Sequence, residues 1–209
     1  MSTSNRSTYH HGHLRPALIA AARALLEERG SEAVGLREAA RRVGVSPTAT
    51  YRHFRDKDDL LAAVAATGFR EFAAALAHAG REGQPLSAMG AAYVDFALAR
   101  PGMFRLMFSS LMAKRELYPE FKVAAEEAFA VLRRGVQSSA PEGEGQGESV
   151  DAVAIAAWSL AHGLSHLILD GVLPKESAEA FKQAILALPG LARTDPGRRM
   201  KGLSDPRCG

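Results

Sequence analysis

The feature that most constrains this chain is a helical apolar period that stops and restarts around the stretch GVSPTATYRHF, residues 44–54. Before this stretch, apolar residues recur every three or four positions in two runs, 14–26 and 36–43. The spacing predicts two helices, the first ended by Gly30 and the second by Gly44. Glycine tolerates the left-handed backbone that closes a helix. We therefore expect the chain to open as consecutive short helices.

A third helix is predicted to begin just after this glycine corner. Ser46 is a favourable N-cap residue, and Pro47 suits the first helical position, where its missing N–H costs nothing. A helix, a three-residue turn and a second short helix are the parts of a helix-turn-helix. Thr50 and Phe54 lie four positions apart and are expected to face inward.

The outer face of the third helix has the chemistry of a DNA-reading surface. Small residues at its start would let the helix enter the major groove, and Tyr, His and Arg can donate to phosphate oxygens or base edges. This face carries Pro47, Thr48, Tyr51 and Arg52, with His53 beside them. Asp56 is expected to cap a fourth helix, whose first residue, Lys57, would anchor a phosphate together with free N–H groups. A generic three-helix domain with a polar face would show the same spacing.

Charge is distributed unevenly along the 209 residues. Residues 1–57 hold ten Lys and Arg against five Asp and Glu, whereas residues 58–189 hold eleven against sixteen. Residues from 190 onward hold five against two. Basic ends around an acidic middle indicate an N-terminal part that meets a polyanion. Ordinary variation in surface charge is the alternative.

The remaining period predicts an all-α protein. Further helices are expected at 57–79, 86–100, 103–110, 118–138, about 150–171 and 175–188. We predict an N-terminal three-helix helix-turn-helix domain joined through helix four to a C-terminal helical bundle. The arm and DNA-binding domain would span 1–57, and a ligand-binding and dimerisation domain 58–189. Residues 138–149 are predicted to be an acidic linker, and 190–209 a disordered basic tail.

Residues 36–64, LREAARRVGVSPTATYRHFRDKDDLLAAV, resemble the DNA-binding domain of the TetR family. The matching positions are Gly44, Val45, Ser46, Tyr51, His53, Phe54, Lys57 and Leu60. The resemblance implies phosphate contacts from Tyr51, His53 and Lys57, and base reading by Pro47, Thr48, Ala49 and Arg52, beside Ser46. Two positions depart from the family pattern: Thr50 replaces a larger apolar residue, and Gly35 stands where a Ser or Thr often caps helix two.

The C-terminal half resembles a regulatory domain named WHG after its Trp, His and Gly, here Trp158, His162 and Gly163. The similar stretches are ARPGMFRLMFSS, 99–110, and WSLAHGLSHLILDG, 158–171. This resemblance implies an architecture and leaves the ligand open.

A ligand pocket is expected where flexible sulfur and aromatic side chains are concentrated. We assign to it Phe104, Met107, Phe108, Trp158, His162 and His166. Trp158, His162 and His166 recur every fourth position and share one helical face, so they could line a cavity, bind a metal or form hydrogen-bonded core. No metal site is assigned, because two helical histidines need another ligand and the Glu of the H-E-x-x-H zinc motif is missing. The N-terminal YHHGH is interpreted as a mobile arm along DNA, with Arg6 available for the minor groove.

The last two helices are predicted to form a homodimer. Their apolar residues are Leu160, Leu164, Leu167 and Ile168 on one helix and Phe181, Ile185 and Leu188 on the other. No apolar run is expected to reach the roughly 18 residues of a membrane span, and no apolar signal region is present at the polar N-terminus. With its single cysteine, Cys208, the chain is expected in the cytoplasm, away from membranes.

Three classes of function fit these patterns to different degrees. The first is a transcriptional repressor that binds palindromic double-stranded DNA as a homodimer and is released by a small apolar or amphipathic effector. The second is a DNA-binding protein without an effector. An enzyme is not supported, since the chain has no Gly-rich phosphate loop, no Gly-x-Ser-x-Gly elbow and no convincing carboxylate pair, and no cofactor is predicted.

Overall fold

A computed structural model describes residues 13–81, 86–139 and 148–186. Within these ranges the protein is helical and has no strand, which confirms the all-α prediction. The predicted N-terminal arm with Arg6, most of the acidic linker and the basic tail lie outside the described residues.

The N-terminal helices begin where the local signals predict, and α1, α2 and α4 also end there, whereas α3 ends at Thr50, before the residues 51–54 that the pattern placed on the same helix. They are α1 (Leu14–Arg29), α2 (Leu36–Val43), α3 (Pro47–Thr50) and α4 (Lys57–Ala79), with a 3₁₀ turn at Ser31–Ala33. Gly30 and Gly44 end α1 and α2 with φ of 78° each, a region that strongly favours glycine. Asp56 caps α4 by accepting the Asp59 backbone N–H at 2.8 Å, as predicted.

The C-terminal helices follow the predicted order with shifted ends. They are α5 (Leu86–Ala99), α6 (Pro101–Met107), α7 (Pro119–Ser139), α8 (Glu148–Leu169) and α9 (Ala178–Leu186). Helix α6 starts two residues before the predicted Met103, because Pro101 is already shaped for the first helical turn. A 3₁₀ segment at Ser110–Leu117, which the sequence period did not predict, joins α6 to α7.

Helix α4 lies in the core of the molecule and packs most extensively against α7. Its residues Phe69, Phe72 and Leu76 are all buried. The Phe69 ring meets Phe108 edge-on at 5.4 Å between centroids, and the Phe72 ring meets Tyr93 in the same way at 4.8 Å. Edge-to-face pairs of this kind add to the stability gained from burial.

Ion pairs and close backbone contacts join α4 and α6 to α1. Glu71 on α4 accepts two hydrogen bonds from Arg23 on α1, and Arg100, at the corner between α5 and α6, lies 3.7 Å away. Gly102 packs against the end of α1, so that a Cβ at this position would lie 3.2 Å from the Leu26 carbonyl oxygen. The helix-turn-helix and the bundle therefore share a contact that does not run along α4.

Two of the described helices are long and apolar enough to cross a membrane by length and composition, Lys57–Ala79 and Val150–Leu169. The expectation that no apolar run reaches this length is therefore wrong. Most of the first helix is buried in the protein core, which explains its composition. Only a third of the second is buried, so α8 has an apolar surface that the described residues do not cover.

This surface of α8 differs from the predicted one. Leu164 and Ile168 are buried within the protomer and cannot belong to an outer face, which corrects the predicted set. Leu160 and Leu167 are 38% and 43% exposed. Because α8 is apolar on nearly every side, its period does not distinguish the side that packs on α5 from the side that faces out.

Gly68 allows α4 to approach α6 closely. A Cβ added at Gly68 would lie 2.6 Å from Met103 Sδ and 2.8 Å from Met107 Sδ, and both methionines are fully buried. These contacts identify Gly68 as a position of close helix packing.

We expect Gly68→Ala to lower the free energy of unfolding by about 1 kcal/mol. Overpacking costs about 1–3 kcal/mol, of which the higher helix propensity of alanine returns about 1 kcal/mol. Denaturant unfolding at fixed protein concentration measures this change. In a Met103→Ala background, where one of the two crowding side chains is gone, the same substitution should cost less or become stabilising. Equal costs in both backgrounds would contradict the packing explanation.

Candidate functional site

The turn between α2 and α3 is held by the backbone alone. Gly44 adopts the left-handed conformation, and its N–H and that of Val45 donate to the carbonyls of Arg41 and Ala40. These bonds satisfy carbonyls that the end of α2 leaves without a helical partner. The chain is thereby redirected within three residues into α3, as the sequence predicts.

The inner face of α3 is packed as expected. Thr50 and Phe54 are both buried. The Thr50 hydroxyl donates to the Pro47 carbonyl at 2.6 Å, so a polar side chain is satisfied at a position where the family usually has an apolar one. Beyond Thr50 the chain continues as a looser turn, in which the N–H groups of His53 and Phe54 both donate to the Thr50 carbonyl.

The outer face of α3 presents the residues assigned to DNA. Ser46, Pro47, Thr48, Tyr51 and Arg52 are exposed, and Ala49 and His53 are half-buried. Tyr51 is 55% exposed. Neither the Tyr51 nor the Arg52 side chain forms a hydrogen bond or ion pair with the described residues, so both remain available to a partner. Ser46 stands at the N-cap of α3, but its side chain makes no capping bond, contrary to the predicted role.

The start of α4 brings a cation next to this face. Lys57 Nζ lies 3.8 Å from a Glu32 carboxylate oxygen and 3.4 Å from the Glu32 carbonyl oxygen. The Asp59 N–H is already taken by the Asp56 cap, whereas the N–H groups of Lys57 and Asp58 have no partner among the described residues. A phosphate at this point would therefore replace Glu32 as the partner of Lys57.

Positive charge on α2 is partly neutralised by neighbours. Arg41 pairs with Glu38 on the same helix, and Arg42 pairs with Glu28 on α1. These contacts hold the pKa of both carboxyl groups below the usual range. Arg37, at the exposed start of α2, has no acidic partner among the described residues, a feature that the sequence pattern alone did not single out.

A second site is a cavity of about 460 Å³ bounded by α4, α5, α7, α8 and the segment after α6. This volume is within the range of small-molecule sites. The apolar side chains that line it are Phe69, Phe72, Leu76, Tyr93, Phe108, Met112, Ala125, Ala128, Phe129, Ala130, Leu132 and Trp158. Three charged residues, Arg115, Glu126 and Arg133, complete its lining.

The polar side chains on the α8 side of the cavity form hydrogen bonds with one another. Trp158 Nε1 donates to the Tyr93 hydroxyl at 3.0 Å, and that hydroxyl lies 2.7 Å from His162 Nδ1. Because an indole N–H can only donate, the hydroxyl proton is available to Nδ1. Burial raises the pKa of Tyr93 well above its usual value, so the hydroxyl keeps this proton. The cavity wall is consequently apolar here despite its three polar side chains.

The six residues assigned to the pocket separate into two groups. Phe108 and Trp158 line the cavity. Phe104, His162 and His166 lie behind this wall. The ring centroid of Phe108 lies 5.0 Å from that of the tilted Phe104 ring and 4.7 Å from that of the His162 ring, which it meets edge-on. His166 contacts Phe104 at 5.4 Å.

Met107 is also fully buried behind the wall. Most of the remaining lining comes from α4 and α7, including Phe129 and Leu132, and Arg115 is added by the 3₁₀ segment after α6; none of these three residues was assigned to the pocket. Within residues 13–81, 86–139 and 148–186 no three His, Cys, Asp or Glu side chains are grouped so as to hold a metal ion.

Comparison with known families covers both parts of the chain. Residues 18–64 match the model of the bacterial regulatory proteins of the tetR family, and residues 86–188 match the tetracyclin repressor-like C-terminal domain. The chain belongs to the TetR family. As a TetR-family regulator it is a DNA-binding transcription factor and not an enzyme, in agreement with the motifs of α2 to α4.

Solved structures with the same fold cover nearly the whole chain. A protein of unknown function from Rhodococcus sp. RHA1 is 31% identical, with 90% of this chain and 100% of that one aligned at a TM-score of 0.67. A tetR-family bacterial regulatory protein from Rhodococcus RHA1 is 22% identical over 92% of this chain and 100% of its own, at 0.61. The TetR-family regulator PfmR from Thermus thermophilus is 21% identical over 81% of this chain and 96% of its own, at a TM-score of 0.59. No curated protein matches the chain.

We expect the stability of this TetR-family protein to fall as the pH is lowered through about 6.5, in part because of His162. Burial and the neighbouring His166 hold the pKa of His162 below its ordinary value of 6.5. The unfolded chain then binds more protons than the folded one below that pH, so the free energy of unfolding decreases. Thermal unfolding of His162→Gln, which cannot gain this proton, should depend less steeply on pH. The exposed His78→Gln serves as a control, and identical pH profiles for all three proteins would refute the assignment.

Proposed function

We propose that this protein is a ligand-responsive repressor in the cytoplasm that binds a palindromic DNA operator as a homodimer. A small apolar or amphipathic effector in the cavity would release it from DNA, without a cofactor and without contact to a membrane. The observation that carries this proposal is the position of α4, which starts with Lys57 beside the helix-turn-helix and lines the cavity with Phe69, Phe72 and Leu76.

The DNA interface in this proposal consists of the exposed side of α3 and the start of α4. Tyr51, His53 and Lys57 contact phosphates, while Arg52 and the small residues Pro47, Thr48 and Ala49 face the bases, beside Ser46. The side chains of Tyr51 and Arg52, which are exposed and make no hydrogen bond to the described part of the chain, support these roles, because free hydrogen-bond donors can bind DNA without first breaking a contact.

We expect Lys57→Ala to weaken binding to all DNA sequences alike and to reduce the slope of log K against log salt by about one unit. The physical reason is the loss of one phosphate contact and of its released counterion. Fluorescence anisotropy at several salt concentrations, on an operator selected from random DNA, measures both effects.

Arg52→Ala serves as the comparison for this experiment. Loss of a base contact should change the preferred sequence and cost about 1–3 kcal/mol at the affected position. A Lys57→Ala protein that changes its sequence preference with an unaltered salt slope would contradict the phosphate role.

The homodimer is proposed to form through the uncovered face of α8 together with α9. Val153, Ile155, Leu160 and Leu167 expose apolar side chains on α8. Gly163 lies between Leu160 and Leu167, and a Cβ there would meet nothing within 4 Å, so a partner helix has room to approach. The predicted contributions of Phe181, Ile185 and Leu188 lie outside the described side chains. Two copies related by a twofold axis would place their α3 helices roughly 34–36 Å apart, one turn of DNA.

We expect Leu160→Glu to yield monomers, because a carboxylate would be buried without a partner at the centre of this interface. Light scattering at micromolar concentration gives the molecular mass of the wild type and the variant. Val123→Glu, a matched change of an exposed apolar residue on α7, should leave the dimer intact. A monomeric wild type, or a dimeric Leu160→Glu protein, would contradict this interface.

Effector release would couple the cavity to DNA through α4 and α6. Phe108 lines the cavity directly after the end of α6, and Gly102 at the start of α6 rests on α1. A ligand shifts DNA affinity only through its different affinity for the two dimer conformations, and a tenfold shift takes about 1.4 kcal/mol.

The direct test of the function is displacement from selected operator DNA. A protein that binds the selected operator and loses it on addition of a cavity ligand is a ligand-released repressor. A protein whose operator affinity stays constant while a ligand occupies the cavity would instead be a DNA-binding protein without an effector of this kind.

A further inference from the structure

The charged residues at the cavity differ in what they already bind. Arg133 pairs with Asp151 at the start of α8, and Glu126 lies 3.9 Å from Lys122 on the same helix. Arg115, in the 3₁₀ segment after α6, donates only to the Met112 carbonyl oxygen, at 3.2 Å. Among the described residues no carboxylate lies within ion-pair distance of the Arg115 guanidinium. Its remaining N–H donors are therefore available at the edge of the cavity.

We infer that the effector is an acidic amphiphile, a monocarboxylic acid with an apolar body, and that Arg115 binds its carboxylate. This inference rests on the proposed function and specifies its ligand. The planar guanidinium can donate two parallel hydrogen bonds to a carboxylate, which makes Arg115 a specific head-group site.

The apolar body of this ligand is required by the rest of the cavity. The hydroxyl of the buried Tyr93 is engaged by both Trp158 and His162. A second polar group on the ligand would therefore be buried there without a partner, which weakens binding. Aromatic and aliphatic side chains on α4, α5 and α7 gain instead from contact with a hydrocarbon.

The sign of the head group follows from the charges that remain after internal pairing. Arg133 is offset by Asp151, whereas Glu126 lies 3.9 Å from Lys122, which also binds Glu116 at 2.7 Å. Arg115 is the charged lining residue with no oppositely charged group within ion-pair distance among the described residues, and its charge is positive. A cationic ligand would have to compete with Lys122 for Glu126 and would lie close to Arg115.

Trp158 makes occupancy measurable without a label. It is the only tryptophan in the chain, and it lines the cavity between Phe108 and Phe129, whose ring centroids lie 6.1 and 5.8 Å away. A hydrocarbon that enters the cavity changes the surroundings of this indole. Its fluorescence can therefore be titrated with decanoate, 1-decanol and decylammonium, which share one chain length and differ in head-group charge.

We expect the wild type to bind decanoate at least about tenfold more tightly than 1-decanol or decylammonium. Arg115→Gln should lower the affinity for decanoate by about tenfold and leave the affinity for 1-decanol within about twofold of the wild-type value. Arg115→Lys keeps the positive charge but cannot donate two parallel hydrogen bonds. Its affinity for decanoate should lie between those of the wild type and Arg115→Gln. The exposed Arg134→Gln on α7, outside the cavity lining, is the matched control and should bind all three probes as the wild type does.

Several outcomes would overturn the inference. These are equal affinity of the wild type for acid and alcohol, preference for decylammonium, or equal loss of acid and alcohol binding in Arg115→Gln. Binding of 1-decanol with the same affinity as decanoate would refute the acidic head group while leaving the cavity and its effector role intact. Failure of bound decanoate to displace operator DNA would count against the proposed function and not against the acid specificity.

Discussion

The burial of α4 is the constraint on which the rest of this structure depends. Seven consecutive residues, 60–66, are buried, so this part of the helix is enclosed on every side. Alanines at four of these positions let α1, α6 and α7 approach its backbone closely, and each larger side chain gains about 1.5–3 kcal/mol from burial. Because one helix belongs to the cores of both parts, the helix-turn-helix cannot shift without disturbing the bundle. The binding of DNA and the contents of the cavity are thereby placed on a common rigid element.

The ends of α1, α2 and α4 and the start of α3 could be predicted from the sequence almost to the residue, because they depend on local chemistry, whereas α3 ends at Thr50, earlier than predicted. Gly44 ends α2 through its own backbone conformation, and Asp56 starts α4 with a bond to the N–H three residues on. Such signals act within a few positions and do not require the tertiary fold. The inward direction of Thr50 and Phe54 follows from the same short-range geometry. The 3₁₀ segment at Ser110–Leu117 has no comparable local signal. The spacing of apolar residues therefore did not predict it.

The cavity could be predicted only in part, because its walls come from helices that are distant in sequence. An apolar period tells which side of a helix avoids water, but not which other helix will cover that side. Phe108 and Trp158 were found through their composition, whereas Phe129 and Leu132 on α7 look like ordinary core residues until α4 lies opposite them. On α8, which is apolar nearly all round, Leu164 faces inward and Leu160 outward for the same reason. The availability of Arg115 is likewise a property of the fold, since it depends on which carboxylates lie within reach.

Two structural paths connect the cavity with the helix-turn-helix domain, one along α4 and the other through α6. Along α4, the 12 positions from Lys57 to Phe69 correspond to about 18 Å of helix. Through α6, Phe108 at the cavity is linked to Gly102, whose backbone packs against the Leu26 carbonyl oxygen on α1. Glu71 joins the two paths, since its carboxylate binds Arg23 on α1 and lies near Arg100 beside α6. Under the proposed effector mechanism, a ligand that moved α4 and α6 in the same direction would carry α1, and with it α3, as one body.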